Sequence, residues 1–349
     1  MPSLESPSFW PRGKNNGGDI LWGFLGEGMK SMTSTKHAVN HAVSVSDLAA
    51  SLNSRPAPQS GWRSWVHKAT WGAISPRESS SARRQRELIE RVRQPIYGDY
   101  NIAVISVKGG VGKTSTTMCL GATLASLRSD RIVAIDANPD FGTLGARVTA
   151  ANPASIRDLL RAPDTDKYAQ VRAYTSHTPS RLEVVGSDQN PTSTIALSDG
   201  EYCAALDILR RHYNVSLTDC GTGLTQPISA SILSAANCLV LVTTPALDGV
   251  KSAWTTLDWL SAHGFERLVS TTVVVVNELN KQGLSTETVH ELFAQRCRAV
   301  QVIPYDPHIA NGANIELDNL QPATTQSYLE LAAMIADDFA PTTGRHSFV

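Results

Sequence analysis

Lys108-Gly109-Gly110-Val111-Gly112-Lys113-Thr114-Ser115 follows directly on the apolar run of residues 102–107, and this junction decides the fold. A strand that runs into a glycine-rich turn and then a helix leaves several backbone N–H groups pointing into one concavity at the positive end of the helix dipole. Such a nest binds phosphate oxygens. Gly109, Gly110 and Gly112 permit positive φ and a close approach of the backbone to a polyphosphate. Lys113 reaches the terminal phosphates, the Thr114 hydroxyl suits a magnesium ion, and Ser115 completes the motif. The widespread pattern G-x-x-x-x-G-K-[ST] needs glycine at position 107, where this chain has Val107. The loop carries instead a second lysine, Lys108, at its entrance.

Outside this loop, composition excludes several classes. The chain has 349 residues, 42% of them hydrophobic, enough for one large α/β domain plus additional material. A net charge of −1 gives no global attraction to nucleic acid or anionic lipid. Five scattered cysteines without C-x-x-C spacing indicate neither a disulfide framework nor a zinc site and read as reduced core residues. No apolar run approaches the roughly 18 residues of a membrane span, and the start lacks a basic region followed by an apolar core. A cytoplasmic protein is expected, recruited to the inner face of a membrane only through a partner.

Composition also divides the chain. Residues 1–97 are rich in Ser, Gly, Asn and Pro yet hold five of the seven tryptophans: Trp10, Trp22, Trp62, Trp65 and Trp71. They are expected to form a largely disordered extension, within which residues 62–71 suit a short helix that docks on this chain or recruits a protein partner. Residues 82–95 read as a solvated, arginine-rich connector helix stopped by Pro95. Residues 98–340 form the folded domain, and 341–349 a flexible tail in which Pro341 and Gly344 preclude a continuous amphipathic helix.

From residue 100 onward strands alternate with helices. Strands are expected at 102–107, 131–135, 182–185, 215–218, 238–242, 271–276 and 299–303, and helices at 113–127, 200–211, 249–263 and 286–296. This is an α/β fold, a mostly parallel sheet with helices on both faces. Ligands of such sheets sit at the carboxyl ends of the strands. There the sequence places Asp136-Ala137-Asn138-Pro139-Asp140, Asp219-Cys220-Gly221-Thr222-Gly223, Asn277 and Val302-Ile303-Pro304-Tyr305-Asp306.

The loop K-G-G-x-G-K-[ST], with these four strand-end motifs in this order, resembles the MinD/ParA group of P-loop ATPases. The resemblance covers residues 102 to about 335 and implies ATP and Mg²⁺ as cofactors. It implies that Lys108 contacts phosphates across the interface of an ATP-dependent homodimer, that Asp136 lies in the first switch, and that Asp219 and Thr114 hold the Mg²⁺ shell. Asn277 would read adenine, an amide offering one donor and one acceptor, and Pro304 would run along base and sugar. Many members have D-x-D at the first switch, whose second aspartate helps position water. Here that residue is Asn138, which orients water but does not accept its proton. Asp140 stands two residues on.

Within the group, the tryptophan-bearing extension, the arginine-rich helix and the phrases around Asn138 and Tyr305 look like the MinD-like ATPases associated with type VII (ESX) secretion. The implied function is an ATP-driven switch for localisation or assembly of a secretion machine. Two alternatives stand beside it. A ParA-type partition ATPase would bind DNA, but from Lys251 onward six Lys or Arg face eleven Asp or Glu, a balance of −5. The cluster Arg83, Arg84, Arg86, Arg91, Arg93 is the better candidate for such contact, with a solvated face as its plainer reading. An adaptor that binds ATP with little turnover is suggested by Asn138.

Overall fold

The computed structural model describes residues 79–138, 142–187, 197–224, 226–279 and 283–339. Residues 1–78 of the expected extension, which hold its tryptophans, lie outside these residues, as do Pro139, Asp140 and the tail. Eight strands form one sheet: β1 (Tyr100–Ile105), β2 (Ile132–Ala137), β3 (Ser176–His177), β4 (Glu183–Val185), β5 (Val215–Cys220), β6 (Cys238–Thr243), β7 (Val273–Asn277) and β8 (Ala299–Ile303). Their order is β3-β4-β2-β5-β1-β6-β7-β8. Every pairing is parallel except β3 with β4. The helices are α1 (Ser80–Val92), α2 (Lys113–Leu127), α3 (Ile156–Leu160), α4 (Tyr168–Arg172), α5 (Asp199–Arg210), α6 (Pro227–Ala235), α7 (Leu247–Ala262), α8 (Glu266–Thr271), α9 (Thr286–Ala294), α10 (Pro307–Ala310) and α11 (Pro322–Ala336).

The strands bury both faces, as parallel sheets must when helices cover them. Alternate residues divide the apolar core in two. Ile102, Val104, Val240 and Val275 pack with α2 and α11, whereas Ala103, Ile105, Leu241 and Val274 pack with α5, α7 and α9. All seven expected strands are present, and β3 is an addition at one edge. The first strand ends two residues early because Ser106 turns the chain out: its hydroxyl donates to Lys108 O at 2.8 Å and accepts from Lys108 N at 3.2 Å.

The arginine-rich helix is only half solvated, which corrects the expectation of a connector. Leu88, Ile89 and Val92 of α1 are buried in the core beside α2 and α11. Its arginines are also spoken for: Arg91 donates two hydrogen bonds to Asp337, at 3.0 and 2.6 Å, Arg84 donates to Glu330, and Arg83 to Glu87. The buried Arg128 guanidinium caps the end of α1 by donating to Val92 O and to Gln94 O. Arg84 and Arg91 thus tie the helix to the C-terminal segment, while Arg83 and Arg84 stay largely exposed.

Ile89→Ala should destabilise the protein by about 2–5 kcal/mol through a core cavity, whereas Arg83→Ala should change stability by less than about 0.5 kcal/mol. Denaturant unfolding of the two variants distinguishes an integral helix from a connector, for which both changes would be neutral.

Candidate functional site

The carboxyl ends of β1, β2, β5, β7 and β8 converge on one cleft of about 470 Å³. Residues 108–115 line it from below. Gly110 (φ 75°) and Gly112 (φ 89°) take the left-handed conformation that the turn requires, and Gly112 leads straight into α2. A Cβ on Gly112 would lie 2.7 Å from the Asn277 amide nitrogen, so glycine there also allows β7 to approach the loop.

Beneath the loop lies a buried charge cluster. Lys113 Nζ donates to Asp219 Oδ1 at 2.7 Å, and Thr114 Oγ1 donates to Asp219 Oδ2 at 2.7 Å. Asp219 is fully buried and Lys113 is 8% exposed. Asp136 faces Asp219 in register on the neighbouring strand. It accepts from Leu144 N at 3.0 Å and Asn138 N at 3.3 Å. A Cβ on Gly142 would fall 2.0 Å from an Asp136 oxygen, so the returning chain can close over that carboxylate only with glycine. One ammonium thus serves two buried carboxylates. Burial first, and repulsion from Asp219 second, push Asp136 up to about 7.

Asn277 closes the cleft from β7. Its Nδ2 donates to Val111 O at 2.7 Å and to Thr116 Oγ1 at 3.3 Å, while its Oδ1 is buried without a donor. An unsatisfied buried acceptor of this kind costs about 1–3 kcal/mol until a donor reaches it. Ile303, Pro304 and Tyr305 form the next wall, and the Asp306 carboxylate is turned away to cap α10 through His308 N.

Lys108 behaves differently from Lys113. It sits at the rim, 41% exposed, with its ammonium on the Asp248 carboxylate at the start of α7. Around it are exposed apolar side chains: Val107 (44%), Leu247 (70%) and Leu279 (45%).

The sequence model of the family described as AAA domain matches residues 100–282, more than half of the chain. The chain belongs to this family, in its MinD/ParA-like P-loop group. The ESX-1 secretion-associated protein EspI of Mycobacterium tuberculosis (strain ATCC 25618 / H37Rv) is 38% identical over 285 residues, which cover 80% of this chain and 42% of EspI. The chain thus spans about two fifths of that relative's length. The septum site-determining protein MinD of Synechocystis is 28% identical over 61% of this chain and 79% of its own. The structure of MinD from Pyrococcus horikoshii, complexed with Mg-ADP, superposes with a TM-score of 0.53 at 19% identity, covering 67% of this chain and 94% of that one.

The family's strand-end positions are gathered here as the sequence expects: Lys108 to Ser115, Asn138, Asn277 and Pro304 line one cleft, with Asp136 and Asp219 directly under it. Two features depart from expectation. The Asn277 donor is already spent on Val111 O, which leaves its acceptor alone for a ligand. Four further residues at the site carried no signal in the sequence: Asp248, Thr116, Gly142 and Arg147. Cys220, beside Asp219, is an inert core thiol whose burial pushes it up to about 12.

Two arrangements fit an incoming magnesium nucleotide: the Thr114 hydroxyl beside the Asp219 carboxylate suits the metal-bound phosphates, and the orphaned buried acceptor of Asn277 suits a donor on the rest of the molecule. Without a ligand, the raised value of Asp136 makes the folded state hold a proton that the unfolded chain releases near pH 4. The stability that proton confers is therefore complete below about pH 4 and is lost as pH rises through about 7. Asp136→Asn should abolish this dependence. In metal-free protein it should be more stable than the wild type near pH 8, by on the order of a few kcal/mol and with a higher melting temperature, and match it near pH 4. Equal melting temperatures at both pH values would show that Asp136 is ionised throughout.

Proposed function

We propose that this chain binds Mg·ATP in the cleft and hydrolyses it within a nucleotide-sandwich homodimer, so that the cycle controls the localisation or assembly of a partner machine. The observation that carries this reading is the convergence of Lys113 and Thr114 on one buried carboxylate, Asp219, beneath a glycine loop with left-handed turns. A bound Mg²⁺ supplies charge neutralisation along the triphosphate. Thr114, Asp219 and Asp136 are the residues to hold its shell. The N–H groups of Gly109 to Ser115 cradle the phosphates, and Lys113 carries the compensating charge. Asn277 Oδ1 accepts from the exocyclic amine of adenine, and Pro304 flanks the base.

The homodimer reading draws its support from Lys108. An exposed ion pair is worth only about 0–1 kcal/mol, so Asp248 releases this lysine readily to a better anion. Its position at the rim, among exposed Val107, Leu247 and Leu279, suits phosphates held by a second copy. Asn138 then orients the attacking water without taking its proton, which makes turnover slow or dependent on a partner. That same asparagine favours a second reading, an adaptor that ATP holds closed.

The machine is proposed to be a type VII (ESX) secretion apparatus, on the strength of the name carried by the M. tuberculosis relative. Its partner would bind the tryptophan-bearing segment ahead of α1, the helix that already packs into the core of the ATPase domain. The site of work is proposed to be cytoplasmic; no helix among the described residues is long and apolar enough to cross a membrane.

Steady-state ATP turnover, measured beside equilibrium Mg·ATP binding, tests the proposal. Lys113→Ala should abolish binding while circular dichroism confirms that it folds. Lys108→Ala should bind ATP within about twofold of the wild type, a change smaller than a surface ion pair is worth, and lose ATP-dependent dimerisation. Dimers retained by that variant would count against the sandwich. Asn138→Asp should raise turnover roughly tenfold or more; tight binding with an unchanged rate in this variant would favour the adaptor.

A further inference from the structure

Among the described residues, three cationic side chains line the cleft: Lys108, Lys113 and Arg147. The two lysines are each matched by a carboxylate, Asp248 and Asp219 respectively. Arg147 meets no carboxylate among the described residues. Its Nη1 donates to Ala313 O at 3.3 Å, and its own carbonyl accepts from Ile315 N at 3.0 Å. The guanidinium thus lies on the turn around Gly312, whose left-handed φ of 67° favours glycine; a Cβ there would be in ordinary contact with Nη1, at 3.5 Å. This turn follows α10 and therefore belongs to the wall that begins with Pro304 and Tyr305, the end of the cleft away from Asp219. Arg147 itself hangs from the short 3-10 turn (Gly145–Arg147) that succeeds Leu144, the residue bonded to Asp136.

We propose that Arg147 is a specificity-determining residue for the nucleoside, its guanidinium stacking on the face of the purine. The inference rests on the nucleotide reading given above. A planar, weakly hydrated cation anchored through one edge leaves its face for a π-system, and the phosphates already have two lysines and the loop amides. Because the same residue ties the segment after Asp136 to the wall at Gly312, filling the base end also fixes the segment that follows the first switch.

Binding of Mg·ATP and of magnesium tripolyphosphate to the full chain, measured by calorimetry for wild type, Arg147→Ala and Arg147→Lys, tests this. Arg147→Ala should weaken ATP about tenfold or more, and Arg147→Lys should fail to restore it, because the ammonium has charge without a plane. Tripolyphosphate should bind all three proteins within about twofold, a limit below the energy of one stacked cation. An unchanged ATP affinity, an equal loss for tripolyphosphate, or rescue by lysine would each overturn the stacking role. Wild-type protein that binds tripolyphosphate but shows no gain for ATP would overturn it while leaving the phosphate loop intact. Binding of neither ligand would overturn the nucleotide reading itself and this inference with it.

Discussion

The ion pair between Lys113 and Asp219 is the constraint around which the rest of the molecule is arranged. It joins the first turn of α2 to the end of β5, with β1 between them, and it does so where both side chains are withdrawn from water. Removing one member of such a pair strands a buried charge at a cost of about 3–5 kcal/mol. The cost is raised by Asp136, a second carboxylate on the adjacent strand that leans on the same lysine. Burial and that crowding raise Asp136 to about 7, and backbone N–H donors from Asn138 and Leu144 wrap the carboxylate. A site held in this way is under electrostatic tension, which an added cation relieves.

The hydrophobic frame explains why the tension does not unfold the loop. Helix α2 is buried on nearly every side, between the sheet and a layer made by α1 and α11. Its C-terminal end is gripped by Arg181, which donates to Ala125 O and Arg128 O, and by Arg93, which donates to Leu127 O. A helix fixed at one end and packed along its length holds its other end still, and that end presents the phosphate loop. Helix α1 therefore contributes to the site without touching it.

Much of this was legible in the sequence because the relevant signals are local. The loop motif, the apolar runs that become strands and the carboxylates at their ends are each set by a few neighbouring residues, and β8 runs over the residues expected of it. What was not legible depends on distant contacts. Nothing near residues 82–95 reveals that Leu88 and Val92 find a hydrophobic slot beside α11, some 240 positions away. The same holds for Asp248 and Arg147, ordinary residues on a helix start and a short turn, which acquire a role only because the sheet order brings them to the cleft. Asn277 falls between the two cases: its position was legible, but the commitment of its donor to Val111 O depends on Gly112 letting the strands close.

The three cleft cations can be ranked by what holds each of them. Lys113 is fixed by a buried pair, so its geometry exists before any ligand arrives and little reorganisation is needed on binding. Lys108 is held by an exposed pair worth at most about 1 kcal/mol, and exchanging Asp248 for a phosphate oxygen is close to neutral within one chain. A nearly neutral exchange gives no switch by itself. In the proposed dimer it becomes one, because the anion offered to Lys108 is then buried by a second copy, and excluding water strengthens the new contact while the old one stays screened. The rim around Lys108, with Val107, Leu247 and Leu279 exposed, is apolar enough to exclude water in that way. In the proposed sandwich, the weakness of the Lys108–Asp248 pair is thus what makes the rim lysine, rather than the buried one, the element that responds to assembly.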